Sequence, residues 1–207
     1  MYVLTIDQRD SRTHEDRVPS LLAALADVPA VATFQRTAGD EVQGLLEEPA
    51  NVRKALLIAL RQGSWHCGIG VGPVEEGSFE TGARAGRGPG YLAAREAVNA
   101  AKNLTGSVAI RTDGEHGDDD PAAAGWAADC EAVWQLVAAL VLGRTDAQWR
   151  VLDAVDAHET QAAAAEQLGM RPTSVAGALR LSRIREERAA YGALDRLLTG
   201  AHVAALA

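Results

Sequence analysis

Residues 34–46 have the sequence FQRTAGDEVQGLL, which predicts two short strands joined by a tight turn. Gly39 can adopt a positive φ angle at little cost, so Ala38 and Gly39 suit the turn. Asp40 and Glu41 begin the returning strand, where a hairpin would hold their carboxylates rigidly against a sheet. Such a position suits a metal ligand, and it equally suits an ordinary polar turn.

Composition limits the class of protein. The chain has 207 residues, enough for one large domain or for a medium domain with a small one. A net charge of −8 argues against a protein that coats nucleic acid or membrane through bulk electrostatics. The charge is uneven, however, because five arginines and only two acids lie between residues 171 and 188. We therefore expect a local basic patch on an acidic protein.

The sequence also predicts the compartment. Cys67 and Cys130 each lie in an apolar setting, which favours buried free thiols in a reducing compartment over a disulfide or a metal site. The N-terminus has no basic segment followed by an apolar one, so no secretion signal is indicated. No apolar run approaches the ~20 residues that a membrane span needs. We expect a cytoplasmic protein without a membrane partner.

Hydrophobic periodicity divides the chain into an α+β part and a helical part. Over residues 1–111 it predicts the order β-α-β-β-α-β-loop-α-β, which suits a ferredoxin-like sheet with its helices on one face. Residues 112–125, rich in Asp and Gly, are expected to form an acidic linker or loop. A connecting helix is predicted at residues 126–144, within a helical stretch that begins at Pro121. Residues 145–207 are predicted to be all-helical.

Five short motifs in the first part occur in the order found in a known family. They are DQRDSR at residues 7–12, GDEVQGLL at 39–46, Arg61 with GIGVG at 68–72, GPG at 88–90 and AREAV at 94–98. Together they resemble SatD-family bacterial proteins. More distantly they are similar to the palm domain of class III nucleotidyl cyclases and GGDEF diguanylate cyclases. The resemblance covers residues 1–111 and implies a nucleotidyl-cyclase-like palm sheet there.

The resemblance implies a set of site residues. Asp7 and Asp40 match aspartates that hold Mg²⁺ or Mn²⁺, and Lys102 matches a phosphate contact. The predicted nucleotide or phosphate site consists of Lys102, Arg12 in the first motif and Arg87 in the glycine-rich loop. An alternative is open for each. Asp7 also suits the end of a strand or a helix cap, and Lys102 also suits a solvated helix C-terminus.

The chain departs from the cyclase signature at several positions. Ala38 replaces its first glycine, Val42 replaces phenylalanine, and Arg87 stands where an acidic residue is expected. These departures argue against catalytic turnover more than against the fold. In the loop at residues 77–90, Arg84 and Arg87 suit a phosphate cradle, and equally suit a loop that is merely soluble.

The helical part predicts a helix-turn-helix. Thr145 has capping-box spacing at the start of one helix, Thr160 opens a second, and a third begins near Thr173. Ala165 is a small residue where two helices would cross. Gly169 suits the turn, and β-branched Val175 suits the packing of the third helix against the second. This unit also resembles sigma-factor region 4. We expect the third helix to continue to about residue 198.

Polar residues at the start of the third helix fall on the side away from its apolar positions. Because small and basic side chains there suit close approach to a DNA groove, we predict a DNA-binding set. The alternative is a solvated basic face offset by Glu186 and Glu187. The predicted DNA-binding residues are Arg171, Thr173, Ser174, Gly177, Arg180 and Arg183.

Three functions follow from these patterns. The first is a homodimeric transcription regulator that binds double-stranded DNA, with the palm as a sensing or dimerisation domain for a nucleotide ligand. The second is a metal-dependent nucleotidyl cyclase or nucleotide-binding enzyme regulated by its helical tail. The third is a scaffold that uses both parts for protein contacts. The sequence favours the first, because the helical part has a matched core and surface.

Overall fold

The computed structural model describes residues 1–113 and 121–207, and over these residues the chain is an α+β protein. A five-stranded mixed sheet is accompanied by eight α-helices and a short 3-10 turn at Ala83–Ala85. The predicted α+β class is therefore confirmed. The central seven residues of the predicted acidic linker, with His116 among them, lie outside the described residues.

The sheet has the strand order β2-β3-β1-β4-β5. Strand β5 is parallel to β4, and all other neighbours are antiparallel. The strands are β1 Tyr2–Gln8, β2 Ala32–Arg36, β3 Glu41–Leu46, β4 Trp65–Val71 and β5 Val108–Thr112. The helices are α1 Val18–Leu25, α2 Pro49–Gln62, α3 Pro89–Ala101, α4 Pro121–Leu142, α5 Asp146–Asp156, α6 Gln161–Gln167, α7 Pro172–Leu181 and α8 Ile184–Ala205.

Helices cover both faces of the sheet, so the expectation of helices on one face is wrong. Alternate residues of β1 point to opposite sides. Leu4 and Ile6 enter the main core with residues of α1, α2, α4 and α8. Val3 instead packs with Tyr91 and Ala94 of α3 on the other side. The sequence concealed this second layer because the α3-facing positions of the neighbouring strand β4 are glycines.

Two of those glycines place α3 directly on β4. A Cβ atom at Gly68 would lie 2.1 Å from the backbone nitrogen of Val98, and one at Gly70 would lie 2.1 Å from the carbonyl oxygen of Gly90. Only glycine permits this approach of helix backbone to strand backbone. The repeated glycines of β4 thus let α3 lie directly against the strand. This contact fixes the position of both ends of α3.

Helix α4 pairs with α8 across the other face. Trp134 of α4 and Leu194 and Leu198 of α8 are fully buried in the main core. The C-terminal helix therefore packs on the helix that carries Trp134. Helix α4 is long and apolar enough to cross a membrane by composition alone. It packs against α8 and β5, and a third of its most apolar stretch is buried.

The expected continuous helix to residue 198 is wrong. The chain breaks between α7 and α8 at Arg183, which has a left-handed backbone with φ of 56°. The preceding Ser182 is buried, and its carbonyl oxygen accepts a 2.9 Å hydrogen bond from Nε of Arg144. Leu181, expected in the apolar row, is 64% exposed instead. A contact from 38 residues earlier in the chain therefore stabilises the break.

Candidate functional sites

Helices α5, α6 and α7 form a small unit with its own core, called here the three-helix unit. Val151, Ala165 and Val175, one from each helix, are buried together. Thr145 and Gln148 form the predicted capping box at α5. The side chain of Thr160 caps α6 by accepting from the backbone of Ala163. Between α6 and α7, Gly169 has φ of 61°, and the turn that it was predicted to make is confirmed.

Most residues of the predicted DNA-binding set lie on the exposed side of this unit. Thr173, Gly177 and Arg180 line one open cleft of about 530 Å³. Gln161 and Arg185 line the same cleft and were missed. Gln161 begins α6, and Arg185 lies in the first turn of α8. Both reach this cleft because the chain turns before α7 and again after it. The second turn is absent from the continuous helix that the sequence predicts. Arg171, Thr173, Ser174, Arg180 and Arg183 are exposed, and Gly177 is half-buried.

The arginines of this region differ in their ion pairs. Arg183 lies 3.1 Å from Glu186. The pKa of the Glu186 carboxyl is lowered first by a backbone hydrogen bond and then by the hydrogen bond from this guanidinium. Arg188 donates two 2.8 Å hydrogen bonds to Asp156, which raises its pKa. Within the part of the chain that the structure describes, Arg171, Arg180 and Arg185 form no ion pair. These three guanidinium groups are therefore the cations of this region that are available to an anionic partner.

A second open cleft, of about 550 Å³, lies where β1 ends beside the hairpin turn. Asp7 and Asp40 both line it, as the sequence predicts, and so do Arg12 and Lys102. The backbone carbonyl of Asp40 accepts a 3.2 Å hydrogen bond from the amide of Gln8, which holds the turn beside β1. Four of the five residues expected around a nucleotide phosphate and its metal therefore line one cleft.

The side chains of this cleft do not fit the expected metal centre as they stand. Oδ2 of Asp7 lies 3.1 Å from Nζ of Lys102, so an ammonium group already neutralises the first carboxylate. Among residues 1–113 and 121–207, no group of three His, Cys, Asp or Glu side chains is arranged to hold a metal ion. We therefore derive no chemical step through Mg²⁺ or Mn²⁺.

Two neighbours of this cleft were not predicted as part of the site. Nδ1 of His66 lies 3.0 Å from Oγ of Ser107, and the guanidinium of Arg9 donates to the same hydroxyl. Burial, followed by the charge of Arg9, lowers the pKa of His66. The imidazole is therefore neutral at neutral pH. His66 follows the strand alternation, and no local motif marks it.

Arg87 lines a third cleft, of about 500 Å³, and not the cleft of the other predicted phosphate residues. Arg87 lines this cleft with Arg84 and Arg95, whereas Arg12 and Lys102 line the cleft at Asp7. The structure therefore brings Arg12 and Lys102 to one cleft and places Arg87 at another. Arg87 lies just before α3 and Lys102 just after it, so the length of the helix separates them.

Comparison of the chain with protein-family models, with curated proteins and with solved structures finds no match in any of the three. The resemblance to the SatD family and to cyclase palms thus stays a prediction from the motifs.

Proposed function

We propose that the protein is a DNA-binding transcription regulator in which the three-helix unit contacts DNA and the sheet is a sensing domain. The proposal rests on one observation. Ala165 and Val175, which the sequence assigns to the core of a helix-turn-helix, are buried in the three-helix unit, while five of the six residues assigned to DNA are exposed. Three of the six line an open cleft. In such a unit the helix after the turn lies in the major groove, and here that helix is α7.

The chemistry of α7 suits this role. Thr173 and Ser174 in its first turn and Arg180 in its last turn are exposed. Hydroxyls and guanidinium groups are ordinary donors to phosphates and base edges. A Cβ atom added at Gly177 would meet nothing within 4 Å, so the face is open there for a partner to approach closely.

The strand order supports a palm-like sheet. Strands β2-β3-β1-β4, with both neighbours of β1 antiparallel to it, have the order and directions of a split βαβ unit, and β5 adds a parallel strand at one edge. We propose that this sheet senses a nucleotide or a related anion. The ion pair of Arg61 with Asp153 joins α2, which packs on the sheet, to α5 of the three-helix unit, and we propose this contact as a route from sensing to DNA.

Two further parts of the proposal concern context. A homodimer would place two copies of α7 on successive turns of the duplex, which is how single helix-turn-helix units usually gain affinity. We infer a cytoplasmic location, where DNA is accessible. Cys67 and Cys130 are free and buried, and burial raises the pKa of each thiol to about 12. Such inert thiols suit a reducing compartment.

The test is a salt titration with matched variants. Purified protein is titrated into fluorescently labelled fragments of its own promoter region, and anisotropy gives the dissociation constant at several salt concentrations. We expect affinity to fall steeply as salt rises. An Arg171→Ala/Arg180→Ala variant should bind at least about tenfold more weakly, because each lost charge-assisted contact is worth roughly 1–3 kcal/mol.

The control is Arg36→Ala. Arg36 is also exposed, but it lies on β2 in the sheet and pairs with Asp16. If the Arg171→Ala/Arg180→Ala variant binds as tightly as the Arg36→Ala control, the DNA-binding assignment is wrong. Light scattering on the complex gives the stoichiometry, and one chain per duplex would contradict the dimer.

Nucleotide chemistry is a second candidate function, favoured by the cleft that Asp7, Asp40, Arg12 and Lys102 share. The protein is incubated with ATP or GTP and Mn²⁺, with Asp40→Ala as the control, and products are separated by chromatography. A cyclic or linear product that disappears in Asp40→Ala would place this function above DNA binding.

A further inference from the structure

We propose that the cleft between β3, α3 and the glycine-rich loop binds a small phosphate monoester. This cleft, called here the Tyr91 cleft, has a volume of about 500 Å³. That volume lies in the range of small-molecule sites. Its walls are Thr37, Glu41, Gln43, Glu75, Arg84, Gly86, Arg87, Gly88, Pro89, Tyr91, Leu92 and Arg95.

The charges of the Tyr91 cleft select an anion. Three arginines and two glutamates line it, on a protein whose net charge is −8. Arg87 is paired with Glu75 at 3.2 Å. Over the described ranges, Arg84 and Arg95 have neither an ion pair nor a hydrogen bond to a neighbouring side chain. Two guanidinium groups are therefore available, and each can bind two oxygens of one phosphate.

A buried hydroxyl supplies a third donor. Tyr91 is only 8% exposed, and within the described residues its hydroxyl has no hydrogen-bond partner. A buried hydroxyl without a partner is unfavourable, and a ligand oxygen would supply that partner. Burial raises the pKa of Tyr91 to about 12, so the hydroxyl keeps its proton at neutral pH and can donate it.

Gly86 shapes the cleft around that hydroxyl. A Cβ atom on Gly86 would lie 1.9 Å from the hydroxyl oxygen of Tyr91, so only glycine leaves room for the phenol at this wall. The loop backbone and the tyrosine ring thus lie against each other at the edge of the cleft. Tyr91 and Gly86 both line the cleft, and the hydroxyl is buried at that wall.

The remaining lining indicates an ester and not the bare anion. Pro89 and Leu92 form an apolar side, and Leu92 is 59% exposed. A phosphate held by Arg84, Arg95 and the Tyr91 hydroxyl would leave its organic group on this apolar side. The biological meaning of this site rests on the proposed sensing role of the sheet. The binding itself does not, because it is tested without DNA.

The experiment is calorimetry of the full chain with phenyl phosphate as the probe. We expect saturable binding, at least tenfold tighter than that of benzoate, which offers one carboxylate in place of three phosphate oxygens. Arg84→Ala and Arg95→Ala should each weaken binding about tenfold or more, as expected for loss of a hydrogen bond to a charged group. Arg150→Ala, which removes an exposed arginine of α5, should leave it unchanged.

Tyr91→Phe separates a ligand contact from a structural role. Because the hydroxyl has no partner in the free protein, we expect an unchanged or higher melting temperature together with about tenfold weaker binding. Absence of saturable binding, equal affinity for benzoate, or wild-type affinity in the two arginine variants would overturn the proposal. A protein that binds phenyl phosphate but no DNA would leave this site standing and remove the proposed function.

Discussion

Substitution of Gly68 by alanine tests the layer on which the clefts of the sheet depend. The new methyl group would lie 2.1 Å from the backbone nitrogen of Val98 and 2.8 Å from the carbonyl oxygen of Ala94. These are atoms of the α3 backbone, which cannot rotate away as a side chain can. Overpacking a core by a methyl group typically costs 1–3 kcal/mol, and we expect about 3 kcal/mol here because the helix itself must move.

A second alanine substitution provides the matched control. Gly125 lies in α4, and a Cβ atom there meets nothing within 4 Å. Alanine favours a helix over glycine by roughly 0.5–1 kcal/mol, so Gly125→Ala should stabilise the protein. The same chemical change is therefore expected to have opposite signs at the two positions.

Urea unfolding followed by circular dichroism measures both variants. With a slope of about 2–3 kcal/mol per molar urea, Gly68→Ala should lower the unfolding midpoint by about 1 M, and Gly125→Ala should raise it slightly. A Gly68→Ala protein as stable as wild type would refute the placement of α3 on β4. The positions of Tyr91 and Lys102, which depend on α3, would then be wrong as well.

Four further outcomes are expected from other parts of the molecule. Gly177→Ala should stabilise the three-helix unit by about 0.5–1 kcal/mol in urea unfolding yet weaken DNA binding in anisotropy, and unchanged DNA affinity would contradict close approach at this position. Arg144 and Glu187 form a buried ion pair. Arg144→Met should lower the free energy of unfolding by about 3–5 kcal/mol, because it leaves Glu187 buried without its partner. Adding Glu187→Met should restore part of that loss, and a double variant as unstable as the single one would contradict the pairing. Burial and the charge of the nearby amino terminus lower the pKa of His202, so the folded chain binds this proton less readily than the unfolded chain. Stability should therefore fall as pH drops below about 6.5, and His202→Gln should reduce that fall in thermal melts at pH 7.5 and 5.5. Phenyl phosphate bound in the Tyr91 cleft should change the affinity for DNA. Arg61→Ala should reduce that change and leave phenyl phosphate binding itself unaltered, and an undiminished change would exclude Arg61 from the coupling between the two sites.

Features that depend on neighbouring residues could be predicted from the sequence. The caps at Thr145 and Thr160 and the left-handed Gly169 follow from local hydrogen bonding and from the freedom of glycine. The buried positions of Ala165 and Val175 follow from helical spacing. Each of these requires only a few residues of sequence. For the same reason, the three-helix unit was the best predicted part of the chain.

Features that depend on distant contacts could not be predicted. The break at Arg183 lacks a glycine and a capping residue, and it depends on Arg144 bonding to the carbonyl of Ser182. The division of the phosphate residues between two clefts depends on which face of the sheet α3 covers. Strand alternation shows that two faces exist but does not show which helix lies on each. Tyr91 gave no signal, because an unpaired hydroxyl is a property of the folded surroundings.

The contacts of α2 explain how a ligand on one face of the sheet would affect DNA binding. The Tyr91 cleft lies on the α3 face, whereas α2 packs on the opposite face and reaches the three-helix unit. Arg61 of α2 donates two hydrogen bonds, of 2.7 and 2.6 Å, to Asp153 of α5 and stacks 4.6 Å from the ring of Trp149. Another α2 residue, Arg53, makes the corresponding pair with Asp195 of α8.

These pairs are partly exposed, so each contributes little to stability on its own. The Arg61–Asp153 pair is bidentate, so it favours a small set of orientations of α5 relative to α2. A coupling of 1–3 kcal/mol between ligand and DNA requires only that a shift of α2 favours one such arrangement over another. The buried pair of Arg144 and Glu187, at 2.5 Å, joins the residue before Thr145 to α8, next to the three-helix unit. Because this pair is buried and the Arg61–Asp153 pair is half-exposed, we expect a shift of α2 to change the contact at Asp153 first.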